Sequence, residues 1–190
     1  PGSGSDAAAL VTRAESIDGG YRLNGTKAWI THGGVADFYT VMARTGEHRT
    51  KGISCFLVEG DSDGLSAAAP EDKMGMRGSR TAQVILDDVA IPADRLIGAE
   101  GEGFTIAMAA LDAGRLGIAA CAVGVAQAAL TEAVAYANTR KQFGQAIAEF
   151  QGISFMIADM ATGVEAARSL YLSAARRKDA GLDYSTQAAM

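Results

Sequence analysis

A tryptophan and a threonine near the end of a predicted strand form the first pair of side chains that could act on a ligand. Trp29 and Thr31 are two residues apart, and alternation along a strand places such residues on the same face. An indole on that face can lie against a flat aromatic cofactor, while the hydroxyl bonds the cofactor's edge. A lone tryptophan more often packs in a core, so the two residues alone leave both interpretations open.

A second pair combines a carboxylate with a guanidinium. Asp112 and Arg115 are three residues apart in a segment with helical periodicity, so their side chains are neighbours on one helix face. The simpler interpretation is a local ion pair that contributes only a few tenths of a kcal/mol. The alternative is an anchor for an anionic substrate, with Arg115 supplying a rigid fork of donors.

A third set follows the same predicted helix. Arg140 and Phe143 belong to the segment Arg-Lys-Gln-Phe-Gly, and Gln151 begins the next helical pattern. Cations at a helix C-terminus complement the helix dipole, and Gly144 can end the helix, so capping explains much of the segment. An arginine and an aromatic in a connecting loop also suit the phosphates and rings of a dinucleotide.

Both ends of the chain bear on its completeness. It opens on Pro1 in a Gly/Ser turn that includes Ser5, and it stops soon after Ser185, a plausible helix N-cap. We therefore expect both ends to cut through structure. The opening turn can receive a phosphate or carbonyl on its N–H groups and hydroxyls, although an ordinary turn is the commoner explanation.

The elements that position these residues fall into two groups. Strand patterns separated by turns run from residue 8 to residue 91, including 38–44, 53–59 and 82–91. Asn24-Gly25 is typical of a type I′ hairpin turn. The spacing predicts a small antiparallel barrel or sandwich.

After Pro92 the pattern becomes helical. Long helices are predicted over about 102–138 and 149–180, with Gly181 as the C′ residue of the second. Helices of this length need neighbours to bury them, so we expect an incomplete bundle that missing segments or other subunits complete. The fold class is therefore α+β, with a β domain over residues 1–97 and a helical domain over residues 98–190.

Composition excludes several classes of function. The 190 residues are 48% hydrophobic with a net charge of −5, spread without a basic patch, so nucleic acid is not an expected partner. No membrane span is expected, because the longest apolar run, 116–130, is short and contains Gln127. The two cysteines and two histidines lack metal-ligand spacing, which predicts no metal site and a reduced interior compartment.

The order of the motifs is more specific than any one of them. The chain resembles the acyl-CoA dehydrogenase family over essentially its whole length. The resemblance rests on residues 1–6 (Pro-Gly-Ser-Gly-Ser-Asp), 23–31 (Leu-Asn-Gly-Thr-Lys-Ala-Trp-Ile-Thr), 72–79 (Asp-Lys-Met-Gly-Met-Arg-Gly-Ser), 111–115 (Leu-Asp-Ala-Gly-Arg), 140–144 (Arg-Lys-Gln-Phe-Gly) and 150–151 (Phe-Gln). That family has a helical N-terminal domain, a middle β domain and a C-terminal helical bundle. The chain looks like the middle domain and the first part of the bundle.

The resemblance implies a role for FAD and for several side chains. Trp29 would lie against the isoalloxazine, with Thr31 bonded near N5, and Ser5 would contact both the flavin side of the site and the pantetheine arm of the substrate. Arg140 and Phe143, with Gln151 close by, resemble residues that reach the FAD of a neighbouring subunit. The family is usually a tetramer, so a dimer of dimers is implied.

The resemblance also implies a reaction, the α,β-dehydrogenation of an acyl-CoA thioester. Asp112 and Arg115 resemble the positions that hold the CoA portion, and the loop 73–79 would border the same channel. A glutamate would remove the α-proton while the β-hydrogen leaves as hydride to the flavin, and electrons would pass to an electron-transfer flavoprotein. Similarity around residues 111–117 favours a short- or branched-chain substrate.

The general base departs from the resemblance. One branch of the family carries the catalytic glutamate immediately before the arginine of the Leu-Asp-x-x-Arg segment, where this chain has Gly114. The commoner branch places it later in the bundle, which here would be beyond Met190. Asp112 and Glu102 are poor substitutes, so we predict that no residue of this chain is the base.

Two alternatives stay open. A same-fold flavin acyl-CoA oxidase or monooxygenase would differ in how the reduced flavin reacts with oxygen. A non-catalytic assembly fragment would self-associate through the long helices without retaining flavin, and even for an enzyme this chain alone is expected to be inactive. The expected compartment is the bacterial cytoplasm or the mitochondrial matrix.

Overall fold

The computed structural model describes residues 2–190, which divide into two compact units, 2–108 (the sheet unit) and 109–190 (the helical unit). In chain order the strands are β1 Arg13–Ile17, β2 Gly20–Thr31, β3 Phe38–Arg44, β4 Ile53–Glu59, β5 Leu65–Ala67, β6 Thr81–Pro92, β7 Leu96–Ile97, β8 Lys141–Gln142 and β9 Gln145–Ala146. The α-helices are α1 Gly103–Thr139, α2 Gln151–Asp179 and α3 Ser185–Ala189. Short 3-10 turns cover Ala7–Ala9, Ala93–Arg95 and Ile147–Glu149.

The sheet unit is built on one mixed sheet. Its strand order is β5-β6-β2-β1-β3-β4-β7, and the long β2 and β6 strands pair antiparallel along most of their length. A single parallel pair, Arg13 with Arg44, joins β1 to β3. The α+β class is confirmed, but within residues 2–190 the sheet ends in two edge strands, β5 and β7, and does not close into a barrel.

Strands β3 and β4 show why local patterns sufficed here. Both match the predicted segments residue for residue. In β3 the residues Tyr39, Val41 and Ala43 alternate into the core, whereas β4 is buried along nearly its whole length. Alternation is typical of a strand with one solvent-exposed face, and a continuous apolar run is typical of a strand buried on both faces.

The predicted hairpin at Asn24-Gly25 is wrong. Both residues lie inside β2, where the register against β6 shifts between Leu23 and Gly25. The Asn24 amide donates to Asp88 Oδ1 at 2.9 Å and its Oδ1 accepts from the Asp88 N–H at 2.9 Å. Gly25 has φ 148°, so the pair that suits a turn here forms a β-bulge.

A continuous hydrophobic core lies within the sheet unit. Phe56 is fully buried, and its ring centroid lies 4.9 Å from that of Tyr21. The buried residues of the core are Ala14, Leu23, Tyr39, Val41, Ala43, Phe56, Val58, Val84, Leu86, Val89 and Ile91.

The helix ends follow local capping rules. Gly181 has φ 67°, its N–H donates to the Lys178 carbonyl at 3.0 Å, and the Leu182 N–H donates to the Arg177 carbonyl at 2.9 Å. This is a Schellman-type end, and it confirms Gly181 as the C′ residue of α2. Ser185, in contrast, is the first residue of α3 and not its N-cap.

The helical unit buries little. Val123 and Leu130 of α1 pack with Val164 of α2, and Ile157 and Tyr171 of α2 pack against this cluster. Gln127, the polar interruption of α1, accepts a hydrogen bond from Arg168 of α2 at 2.9 Å.

Helix α1 is long and apolar enough to cross a membrane, by length and composition alone. The absence of a membrane span stays a prediction. The core helices of soluble proteins pass the same test, and Gln127 is bonded within the unit.

Candidate active site

Trp29 is held in an unusual backbone conformation. The β2–β6 register shifts between Lys27 and Ile30, and within this bulge Trp29 has φ 55°. Its side chain is 75% exposed, so the commoner fate of a lone tryptophan, packing in the core, does not apply. Thr31 ends the strand opposite Thr81 and is also exposed.

The chain around Trp29 is anchored on both sides. Lys27 donates to the Met42 carbonyl at 2.6 Å, and burial lowers the pKa of this lysine to about 8. After the strand, the His32 N–H donates to the Arg80 carbonyl at 2.7 Å, and the Gly34 N–H donates to the Tyr39 hydroxyl at 2.8 Å. The exposed indole therefore stands on a backbone that is fixed by bonds to neighbouring strands.

The loop 73–79 is organised by its own lysine. Lys73 donates to the carbonyls of Met76 and Ser79, which folds the loop back on itself. Met74 and Met76 are exposed, and Met76 has φ 50°. The loop thus presents two large apolar side chains to solvent, and the contacts give no individual ligand role to any of its residues.

Ser5 lies exposed in the opening bend, and its neighbours are fixed by two arginines. Arg49 pairs with Asp6 at 2.8 Å, while Arg44 donates to the carbonyls of Ala8 at 2.8 Å and Leu10 at 3.1 Å. Arg44 was not among the predicted site residues. Its one signal was a charged residue that ends an otherwise apolar strand pattern.

In the helical unit the predicted ion pair is present. Arg115 Nη1 lies 2.5 Å from Asp112 Oδ1. The other carboxylate oxygen, Oδ2, accepts a hydrogen bond from the Ser185 hydroxyl at 2.7 Å, a contact 73 residues away that no local pattern could indicate. Gly114, between the two charged residues, is exposed, and a Cβ there would meet nothing within 4 Å.

The connection between α1 and α2 is a small hairpin. Helix α1 ends at Thr139, and β8 and β9 pair across the two-residue turn Phe143-Gly144, with φ 52° and 83°. Gly144 therefore belongs to this type I′ turn. The capping interpretation, in which Gly144 ends the helix, is wrong. Phe143 is 94% exposed and contacts Phe150 edge-on, with ring centroids 6.2 Å apart.

The hairpin groups three of the predicted site residues. Arg140, which precedes β8, is exposed and accepts the Ile147 N–H on its carbonyl at 2.9 Å. Gln151 is exposed as the first residue of α2. Together with Phe143 they place a cation, an amide and an aromatic ring on one short connection.

Two exposed aromatic residues thus share an unfavourable backbone conformation. A non-glycine residue with positive φ is uncommon, and for a bulky residue it costs of order 1–3 kcal/mol. Trp29 and Phe143 both adopt it while exposing their rings. Neither ring gains burial in return.

The acidic residues near α1 are already engaged. Glu102 Oε2 accepts the Ala99 N–H at 2.9 Å just before the helix, as a capping carboxylate does. Asp112 is bonded through both oxygens. The absence of the base from this chain stays a prediction.

Two family models cover most of the chain. Residues 1–89 match the acyl-CoA dehydrogenase middle domain, and residues 101–190 match the acyl-CoA dehydrogenase C-terminal domain. The chain belongs to the acyl-CoA dehydrogenase family. The family's middle domain thus contains the Trp29 bulge, and its C-terminal domain contains both the Asp112 cluster and the Phe143 hairpin.

Similar proteins agree with this membership. An acyl-CoA dehydrogenase of Bacillus subtilis is 49% identical over all of this chain and 50% of its own length. The caffeyl-CoA reductase–Etf complex subunit CarC of Acetobacterium woodii is 45% identical over the same shares. The structure of butyryl-CoA dehydrogenase from Megasphaera elsdenii superposes with a TM-score of 0.94 at 45% identity, covering 100% of this chain and 50% of that one. The chain therefore spans about half the length of the relatives it matches.

Proposed function

We propose that this chain supplies part of the flavin and acyl-CoA site of an FAD-dependent acyl-CoA dehydrogenase that acts on short- or branched-chain thioesters. The observation that carries the proposal is the pair of exposed aromatic rings, Trp29 and Phe143, held at positive φ. Strain of this kind persists where the surrounding structure over-determines it, and it is commonest at ligand sites.

The residues present fit FAD. Trp29 offers an exposed flat surface, and Thr31 offers a hydroxyl two residues further along the same strand. Arg140 and Gln151 offer donors for phosphates and ring edges beside the Phe143 ring. When bound, FAD supplies the hydride acceptor for oxidation of the substrate's β-carbon.

The residues of this chain orient the ligands and leave proton abstraction to another group. Arg115 presents a partly exposed guanidinium for the anionic CoA portion, and Ser5 with its turn offers a hydroxyl to the pantetheine arm. Because Gly114 has no side chain to act as a base, the glutamate is proposed to come from a later part of the bundle. The chain alone would then be inactive.

Three observations support a proposal for the partners and the compartment. One of them is a subunit of a complex with Etf, which supports an electron-transfer flavoprotein as the acceptor. Exposed apolar residues on α1 and α2, including Ile118, Val125 and Phe155, support a homotetramer built on the helical bundle. Both cysteines are free thiols, which suits a reduced compartment such as the bacterial cytoplasm or mitochondrial matrix.

The test is the visible spectrum of the purified holoprotein that contains this chain, recorded before and after anaerobic addition of butyryl-CoA. We expect oxidised-flavin bands that disappear on addition, and a series of chain lengths then identifies the preferred acyl group. Flavin bands unchanged by every acyl-CoA tried would contradict the reaction. No flavin bands, with no binding of added FAD, would contradict the cofactor site.

Matched aromatic variants connect the spectrum to the site. Trp29→Ala should weaken FAD retention and shift the flavin bands, whereas Phe38→Ala, at another exposed ring in the regular strand β3, should do neither. Phe143→Ala should likewise weaken FAD retention, and Phe155→Ala, on the exposed surface of α2, should not. Equal effects within either pair would exclude a specific role for the strained ring.

A further inference from the structure

A serine outside the family motifs touches the proposed substrate anchor. Ser185, the first residue of α3, donates its hydroxyl hydrogen bond to Asp112 Oδ2 at 2.7 Å. Arg115 holds the other oxygen, Oδ1, at 2.5 Å. The Asp112 carboxylate therefore lies between a hydroxyl on one side and a guanidinium on the other.

The second bond changes what the ion pair can do. An ion pair three residues apart on an exposed helix face contributes little, because both side chains keep several rotamers of similar energy. A carboxylate held through both oxygens has a fixed plane, and a guanidinium bonded to it has a fixed direction. Ser185 supplies the bond that fixes the plane.

Exposure shows which of the charged groups a ligand would meet. The Asp112 side chain is 19% exposed, whereas that of Arg115 is 49% exposed. One N–H group of Arg115, on Nη1, is used by Asp112, which leaves donors on the same guanidinium for an incoming anion or carbonyl. The carboxylate thus lies behind the guanidinium and orients it.

The serine is itself held in place. Its N–H donates to Asp183 Oδ1 at 3.1 Å, and the Asp183 carbonyl accepts from Arg177 Nε at 2.7 Å. The contact with Asp112 therefore comes from a fixed backbone at the start of α3. A freely rotating surface hydroxyl would not have this support.

We propose that Ser185 is a positioning residue for acyl-CoA binding: it holds the Asp112 carboxylate so that Arg115 presents its remaining donors to the anionic CoA portion of the substrate. The inference rests on the proposed function. It adds to that function a third residue, which acts through Asp112 and does not itself touch the ligand.

The test compares kinetics of the holoprotein and its Ser185→Ala variant with butyryl-CoA as substrate. We expect KM to rise about three- to tenfold with kcat nearly unchanged, as when a bond to a charged group that serves binding alone is lost. Ser185→Thr keeps the hydroxyl and should return KM to within about twofold of the parent. Thr186→Ala, at the next and exposed residue of α3, should leave both constants unchanged.

Three outcomes would overturn the proposal. An unchanged KM in Ser185→Ala removes its basis, and an equal rise in Thr186→Ala attributes the effect to the stability of α3. A full additional effect of Ser185→Ala in an Arg115→Ala background shows that the serine does not act through Arg115. If the parent holoprotein keeps its flavin bands with every acyl-CoA, the proposed function has failed first, and the two failures are thereby distinguished.

Discussion

The two units of this chain bury their apolar residues to very different degrees. The sheet unit closes its core with its own strands, and Phe56, Leu23 and Val89 have no exposed surface. In the helical unit only three residues form the buried cluster between the helices, while Ile118 and Phe155 stay mostly exposed. The contrast teaches that a regular apolar pattern predicts an element more securely than it predicts what covers that element.

The physical reason is that strands form their backbone hydrogen bonds with other strands, whereas a helix forms them within itself. A strand is bonded along both edges, so each added strand both satisfies backbone groups and covers side chains. A helix satisfies its backbone alone, and its apolar face needs other helices. Two long helices in contact cover one stripe of each other, as Val123, Leu130 and Val164 show, and leave the remaining apolar surface to further partners.

The largest expected effect compares two phenylalanines. Phe56 is fully buried in β4, and Phe155 is 62% exposed on α2. Phe56→Ala should destabilise the chain by about 3–5 kcal/mol through lost burial and a cavity, whereas Phe155→Ala should change stability by less than about 0.5 kcal/mol. Urea unfolding, followed by hydrogen exchange of peptides from each unit, measures both. Similar costs for the two variants would remove the contrast between the units.

Two glycines sharpen the comparison further. A Cβ on Gly103 would lie 2.4 Å from the carbonyl carbon of Ser54, whereas a Cβ on Gly117 would meet nothing within 4 Å. Gly103→Ala should therefore destabilise by about 1–3 kcal/mol, because backbone must move to admit it. Gly117→Ala should stabilise the helix by about 0.5–1 kcal/mol.

Urea unfolding of the two glycine variants measures both effects. A destabilising Gly117→Ala, in the chain or in a longer protein that contains it, would show that another helix approaches α1 at this glycine. That result would make the helical unit resemble the sheet unit more closely.

Local signals predicted most of the fold. Strands β3 and β4 were placed to the residue, and α1 and α2 within two residues at each end, because alternation, helical periodicity and Gly181 are all local features. The Asn24-Gly25 prediction failed because a hairpin turn and a bulge both accept a glycine at positive φ. The partner that decides between them, Asp88, is 64 residues away.

The candidate site could be predicted only in part, because distant contacts decide part of its structure as well. Residue types and spacing made Trp29, Phe143 and the Asp112–Arg115 pair candidates, and only the resemblance to the family implied a role for each. No local pattern indicated that the two aromatic residues would adopt positive φ, since the β2 bulge and the β8–β9 hairpin depend on strand pairing. Contacts made across long separations, such as Ser185 with Asp112, require the folded chain.

The last comparison is a pH dependence that arises in the sheet unit. Burial lowers the pKa of Lys27 to about 8, from 10.5 when unfolded. Between these values the unfolded chain binds more protons than the native chain, so the lysine makes stability rise with pH from about 8 upward. The Met42 carbonyl accepts from the ammonium at 2.6 Å, which opposes the effect of burial on the pKa. With the pKa at about 8, the free energy of unfolding should rise by about 1 kcal/mol between pH 8 and pH 9, which is near the maximum that one titrating proton can contribute over one pH unit.

Lys27→Met should remove this rise, and Lys178→Met, at an exposed lysine of the helical unit, should keep it. Burial also raises the pKa of the Cys55 thiol, which makes stability fall as pH rises through 9 and beyond, so the difference between variant and parent is the quantity to measure. Urea unfolding at several pH values between 7.5 and 9 provides it. A rise that survives in Lys27→Met would show that the ammonium stays hydrated in the native chain, and that the sheet unit buries this charge less completely than its geometry indicates.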